Sequence, residues 1–187
     1  MGLQLIAAPA SEPVSLDEAK EHLRVDHNDE DALILRLIKS ARETAESLTG
    51  RAFVTQSWKL WRDGWPTTRA IEIPKPPLAA VTAVTAVSRS GTESALSSGA
   101  YIVDSASVPG RVVFKSNAAL PIDLADINSV AVAFQAGYGA SGANIPAAIR
   151  NAILDQIAHL YEARGHAPAE PPAGVFAQLA PFRVSLL

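Results

Sequence analysis

The sequence predicts an α+β fold, with helical ends around a β-rich middle and an apolar tail beyond a proline-rich linker. Three observations carry this. Apolar residues recur at three and four in the first fifty residues and again after Pro146, the period of a helix with one buried face. Between them lie short runs rich in β-branched and aromatic residues, punctuated by Gly and Pro. Last, the tail "VFAQLAPFRVSLL" is too apolar to remain in water.

The elements follow in order. "SLDE" at Ser15–Glu18 is a capping box: the Ser15 hydroxyl can accept from the Glu18 N–H, and the Glu18 carboxylate from the Ser15 N–H. It predicts a helix over 15–25, broken by the polar run "DHNDED", where Asn28 and Asp29 are N-cap candidates for the next helix. That helix is expected over 29–49, with Ile34, Leu37, Ile38, Ala41, Ala45 and Leu48 as its stripe, acidic residues at its start and Gly50 as its stop. About five or six short strands are then expected within 52–136. The candidates are "FVTQSWKLW", "AIEI", "AYIVD", "RVVF" and "SVAVAFQA", with "AAVTAVTAV" open between strand and helix. "RDGW" and Pro109-Gly110 mark turns, and "PKPP" marks a corner that cannot be helical. The last helix, 146–164, starts at a favoured Pro, buries Ile149, Ile153, Ile157, Leu160 and Tyr161, and stops at Gly165. "HAPAEPPAG" reads as a semi-rigid linker. The apolar tail beyond it docks either on its own domain or on a partner.

Composition removes several classes of function. The 187 residues are 48% hydrophobic and 19% charged, as in a globular chain, with a net charge of −3. That balance argues against a dedicated nucleic-acid binder, while leaving room for a protein that surrounds DNA without gripping it. With no Cys there is neither a disulfide nor a thiolate metal site, which fits a reducing compartment. The opening "MGLQLIAAPASEP" lacks a basic segment before its short apolar run, so neither a signal peptide nor a membrane span is expected, and Ile6 stands where myristoylation needs Ser or Thr.

The motif that most resembles a cofactor site is G-Y-G-A-S-G at 137–142, whose Gly137, Gly139 and Gly142 have dinucleotide-fingerprint spacing. That fingerprint belongs in the first βαβ unit of a parallel sheet, and here one helix follows with no further strand. The glycines are therefore expected to form a hinge or turn between the last strand and the final helix, and no cofactor is expected. "GASGA" lacks the final Gly of a nucleophile elbow, position 143 being Ala. "DHNDED" fails as a calcium loop because Asp31 and Leu37 stand where Gly and Glu are needed. The histidines, His22, His27, His159 and His166, have no metal-pair spacing. Glu43 with Glu46, and Asp29 to Asp31, read as solvated helix or turn carboxylates. Trp58, Trp61 and Trp65, with only Lys59 and Arg62 among them, read as core or interface aromatics rather than as base-stacking platforms. No catalytic residues and no metal ligands are expected, and the pattern is that of an assembly part.

The ordered series of segments resembles the head–tail connector (adaptor) proteins of long-tailed phages and gene transfer agents. It comprises "VSLDEAKEHLRVDHNDEDALILRLIKSARETAESLTGRAF", "IPKPPLAAVTAV", "AYIVDSASVPGRVVF", "VAFQAGYG", "IPAAIRNAILDQIAHLYEARG" and "LAPFRV", across residues 14–187. Phe182 departs from a Tyr found in many members, and "SRSGTESALSSG" is a loop that varies in the family. The resemblance implies a mainly helical α+β protein: a small helical bundle with a β-rich insertion and an extended C-terminal tail. Its parts would be an N-terminal arm (1–14), a connector domain (15–165) and a linker with a portal-binding tail (166–187). It further implies a ring of self-copies, usually twelve, in the neck of a virion or gene transfer agent particle assembled in the host cytoplasm. The ring would lie between the portal protein and a tail-completion or tail-terminator protein, with DNA passing through the lumen unread and with no membrane partner. The portal contacts would come from Val175, Phe176, Leu179, Phe182, Arg183, Val184, Leu186 and Leu187. Deleting 174–187 is then expected to abolish portal attachment and leave the domain folded. The alternatives are another neck component, such as a tail terminator, or a nucleotide-binding enzyme built on Gly137–Gly142.

Overall fold

In the computed structural model, residues 1–163 and 170–184 are described; Gly165, His166, Leu186 and Leu187 lie outside the described residues. The chain forms two units: a β unit of Met1–Pro9 and Thr55–Gly137, and a helical unit of Ala10–Val54 and the chain from Tyr138 onward.

The β unit holds β1 (Gly2–Ala7), β2 (Gln56–Arg62), β3 (Ala70–Ile73), β4 (Leu78–Val87), β5 (Glu93–Ala95), β6 (Tyr101–Asp104), β7 (Gly110–Phe114) and β8 (Val130–Ala136). Five strands make an antiparallel sheet in the order β1-β2-β8-β4-β5, and three make a second sheet, β3-β7-β6. The sequence of β8, VAVAFQA, suits a central strand, because Val132 and Phe134 meet apolar partners on both flanks, Leu60 and Trp58 on β2 and Val84 and Val81 on β4. Leu60, Val132 and Val84 stand opposite one another in one row across β2, β8 and β4, each no more than 1% exposed. Burying side chains of this size contributes about 1.5–3 kcal/mol each. The ambiguous "AAVTAVTAV" is a strand because β8 and β5 pair with it, and two register shifts, at Leu78/Ala80 and Val81/Ala83, accommodate its length.

In the smaller sheet, Ile71 pairs with Val112 and Ile73 with Gly110. Gly110 is required by close approach: a Cβ there would lie 2.7 Å from the Leu78 Cβ. The peptide bonds preceding Pro77 and Pro109 are cis. The turn from β6 to β7 is organised by Asp104, whose carboxylate accepts from the N–H groups of Ala106 and Ser107, the Ser107 hydroxyl and Arg111 Nε, the last at 2.8 Å. Trp65 meets Phe114 edge-on, with ring centroids 5.1 Å apart, and donates its indole N–H to Pro121 O at 2.8 Å.

The helical unit holds α1 (Leu16–Leu23), α2 (Asp31–Thr49), α3 (Ala147–Glu162) and α4 (Ala173–Leu179). The capping box forms at α1: Glu18 N–H donates to Ser15 Oγ at 3.2 Å, and Ser15 N–H to Glu18 Oε2 at 2.8 Å. α2 begins later than Asn28 and Asp29 imply; its N-cap position is Glu30, with no side-chain cap bond. It ends at Gly50 in the left-handed conformation, φ +72°. Ile34, Ile38, Ala41 and Ala45 of α2 form one core with Ile149, Ala152, Ile153 and Ile157 of α3 and Val175 and Leu179 of α4.

The class is α+β, with 33% helix and 27% strand among the described residues. The expectation of a mainly helical chain gives way for two reasons. The N-terminal arm contains a strand of the large sheet, and β4 is ten residues long. The described part of the tail is not extended either: α4 is followed by a single 3-10 turn, Ala180–Phe182.

Candidate functional site

Of the tail residues singled out in the sequence, the described ones, Val175 to Val184, lie against α3 and the C-terminal end of α2. Pro172 precedes α4, and Val175 and Leu179, one turn apart, are each 1% exposed in the helical core. Phe182 packs against the same core from its edge. The backbone ties are specific. Val184 N–H donates to Thr49 O at 2.9 Å, satisfying one of the carbonyls that a helix end leaves open, and Arg51 Nε donates to Phe182 O at 2.5 Å. Gln178 Nε2 reaches Asp155 Oδ2 on α3 at 2.7 Å. So of the two dockings open in the sequence, this segment as far as Val184 docks on its own helical unit. Phe176 and Arg183 face outward, and with Leu48, Ala177, Leu179 and Ala180 they line a cleft of about 320 Å³. Thr49, Arg51 and Asp155, which hold the segment in place, carry no sequence signal for that task.

α2 also carries a largely buried ionic cluster. Arg42 donates through Nε to Glu12 at 2.7 Å and through Nη1 to Glu46 at 2.9 Å, and Glu46 also accepts from the Phe53 N–H at 2.8 Å. Burial alone would lower the Arg42 pKa; the bonds and charges of Glu12 and Glu46 outweigh it and raise it. The reading of Glu46 as a solvated carboxylate is therefore corrected: it is 8% exposed, since Arg42 one turn earlier gives it a buried partner.

The glycine stretch is a tightly packed bend. Gly137 and Gly139 have φ of +140° and +159°. A Cβ on Gly139 would lie 2.4 Å from Asn144 Cγ, and one on Gly142 would lie 2.2 Å from Pro13 O. Space that a phosphate cradle would leave open is filled by the chain itself, and α3 starts only at Ala147. Ser141 Oγ bonds Asn144 Oδ1 at 3.2 Å, in a loop.

The remaining polar groups do not converge. Among the described residues no three His, Asp or Glu side chains are placed to hold a metal ion. His22 sits 3.8 Å from Asp155, and His27 sits 3.8 Å from Asp29. A cavity of about 650 Å³ beside the start of α1 has its charges already matched, Glu18 with Arg150 and Glu12 with Arg42. Trp58 and Trp61 point to opposite faces of β2, and Lys59 covers the Trp61 ring at 4.1 Å, so the tryptophans do not share one platform. No helix among the described residues is long and apolar enough to cross a membrane.

Comparison with known proteins sets this arrangement in context. A family model described as phage gp6-like head-tail connector protein matches residues 13–107, just over half of the chain. No curated protein matches. Among solved structures, a chain in the virion of a native gene transfer agent particle is 26% identical with a TM-score of 0.84, the match covering 100% of this chain and 97% of that one. Chains in the neck of an empty particle, computed with C6 symmetry, and in the neck of a native particle, computed with C12 symmetry, match with TM-scores of 0.82 and 0.81 at the same identity and coverage. The fold and family are those of a structural neck protein, and the chain belongs to the phage gp6-like head-tail connector family.

Proposed function

We propose that this connector assembles as a ring of copies, twelve in number, in the neck of a virion or gene transfer agent particle. There it joins the portal to the tail and encloses a channel for DNA. The observation that carries the reading is the full-length match to neck chains, one of them in a C12-symmetric neck. The physics agrees. A closed ring needs two different complementary patches on each copy. A net charge of −3 keeps a channel-forming chain from gripping DNA that has to slide. On the portal side the contact is assigned to the C-terminal segment, and on the opposite side to a tail-completion or tail-terminator protein.

Within that segment the roles divide. Val175 and Leu179 hold the segment on its own core; Phe176 and Arg183 offer an aromatic and a cation to the portal, residue types enriched in protein interfaces. Deleting 174–187 would therefore strip two core residues, and the expectation of an intact domain after that deletion is replaced by one of destabilisation. The test is capture of the protein by isolated portal rings. Phe176→Ser combined with Arg183→Glu is expected to weaken capture by roughly a hundredfold while leaving the melting curve in place. Undiminished capture would remove the segment from the portal contact.

A further inference from the structure

We infer that the free edge of β1 is a contact between copies, occupied by the opposite sheet edge, at β5, of a second copy of this chain. The inference rests on the ring reading above. A sheet edge presents a row of unpaired N–H and C=O groups, and proteins usually protect it with charge, Pro or shortness. β1 has none of these protections. It is six residues long, G-L-Q-L-I-A, without charge or Pro, and every one of its residues is exposed. Leu3, Leu5 and Ile6 are 38%, 45% and 56% exposed, an apolar strip at the rim of the sheet.

The other edge, β5, is also exposed along its whole length, and it differs in kind: three residues, E-S-A, with an acidic first position. Because all five strands alternate in direction, the first and fifth run the same way. Copies generated by rotation about a ring axis can thus set β5 of one beside β1 of the next in a parallel ladder. That is a head-to-tail contact between unlike edges, the kind a closed ring requires. A two-fold dimer would instead pair β1 with β1, antiparallel.

The experiment compares the full wild-type chain with Leu3→Lys/Leu5→Lys, which places like charges along the β1 edge. Ile6→Lys, at the register shift between Leu5 and Ala7, is a milder second variant should the first unfold. Mass is read by light scattering and rings by electron microscopy, on the isolated protein and in particle necks. The expected result is wild-type rings and a variant whose ring fraction falls roughly tenfold or more with an unchanged melting temperature. Variant rings at the wild-type level would overturn the β1 contact and leave the ring reading intact. Wild-type dimers that the variant abolishes would overturn the head-to-tail pairing. No wild-type ring in either setting would overturn the ring reading itself.

Discussion

At the scale of single residues, two carboxylates show opposite ways of holding a structure. Asp104 is a surface group gathered into the β6–β7 turn, where the Ser107 hydroxyl, Arg111 and two backbone N–H groups draw its pKa down to about 2. A carboxyl whose folded pKa lies below its unfolded value contributes stability above the ordinary carboxyl range, and that contribution is lost as pH falls toward 2. Melting temperatures of wild type and Asp104→Asn should therefore differ at neutral pH and converge between about pH 4 and 2. A difference undiminished at pH 2 would show that the charge is not the cause. Glu46 is buried, and its removal leaves Arg42 facing Glu12 with one partner fewer and the Phe53 N–H without its acceptor. Urea unfolding of Glu46→Ala should show a loss of about 3 kcal/mol or more, the usual size for breaking a buried ion pair from one side.

At the scale of elements, what could be read from sequence follows the range of the interaction responsible. Local signals were legible: the Ser15–Glu18 box starts α1, and Gly50 ends α2 in the left-handed conformation. Elements decided by a distant partner were not. G-L-Q-L-I-A becomes a strand because β2 lies beside it, fifty residues later, and "AAVTAVTAV" becomes one because β8 does. The charge cluster of Arg42, Glu46 and Glu12 needed tertiary knowledge of where residue 12 lies. In α4 the spacing itself separates an inward from an outward face. Val175 and Leu179 are one helical turn apart, a spacing that marks an inward face, while Phe176 falls outside it. The division is measurable by thermal unfolding. Leu179→Ala should cost about 2–5 kcal/mol, and Phe176→Ala less than about 1 kcal/mol. Equal losses would mean that the two residues share one environment.

At the scale of the whole molecule, function resides in surfaces. The described residues bring together no metal cluster, and the glycine stretch that resembles a cofactor signature is filled by Asn144 and Pro13. What the chain presents outward is an apolar sheet edge at β1 and a cleft around Phe176 and Arg183. These suit the part proposed above, held between copies and partners, and agree with its membership of the connector family. Reconstruction of the neck of DNA-filled particles, carried to side-chain detail, tests this most directly. The account predicts a ring of this chain between portal and tail, with Phe176 and Arg183 against the portal. A neck in which that position is filled by another protein would contradict it.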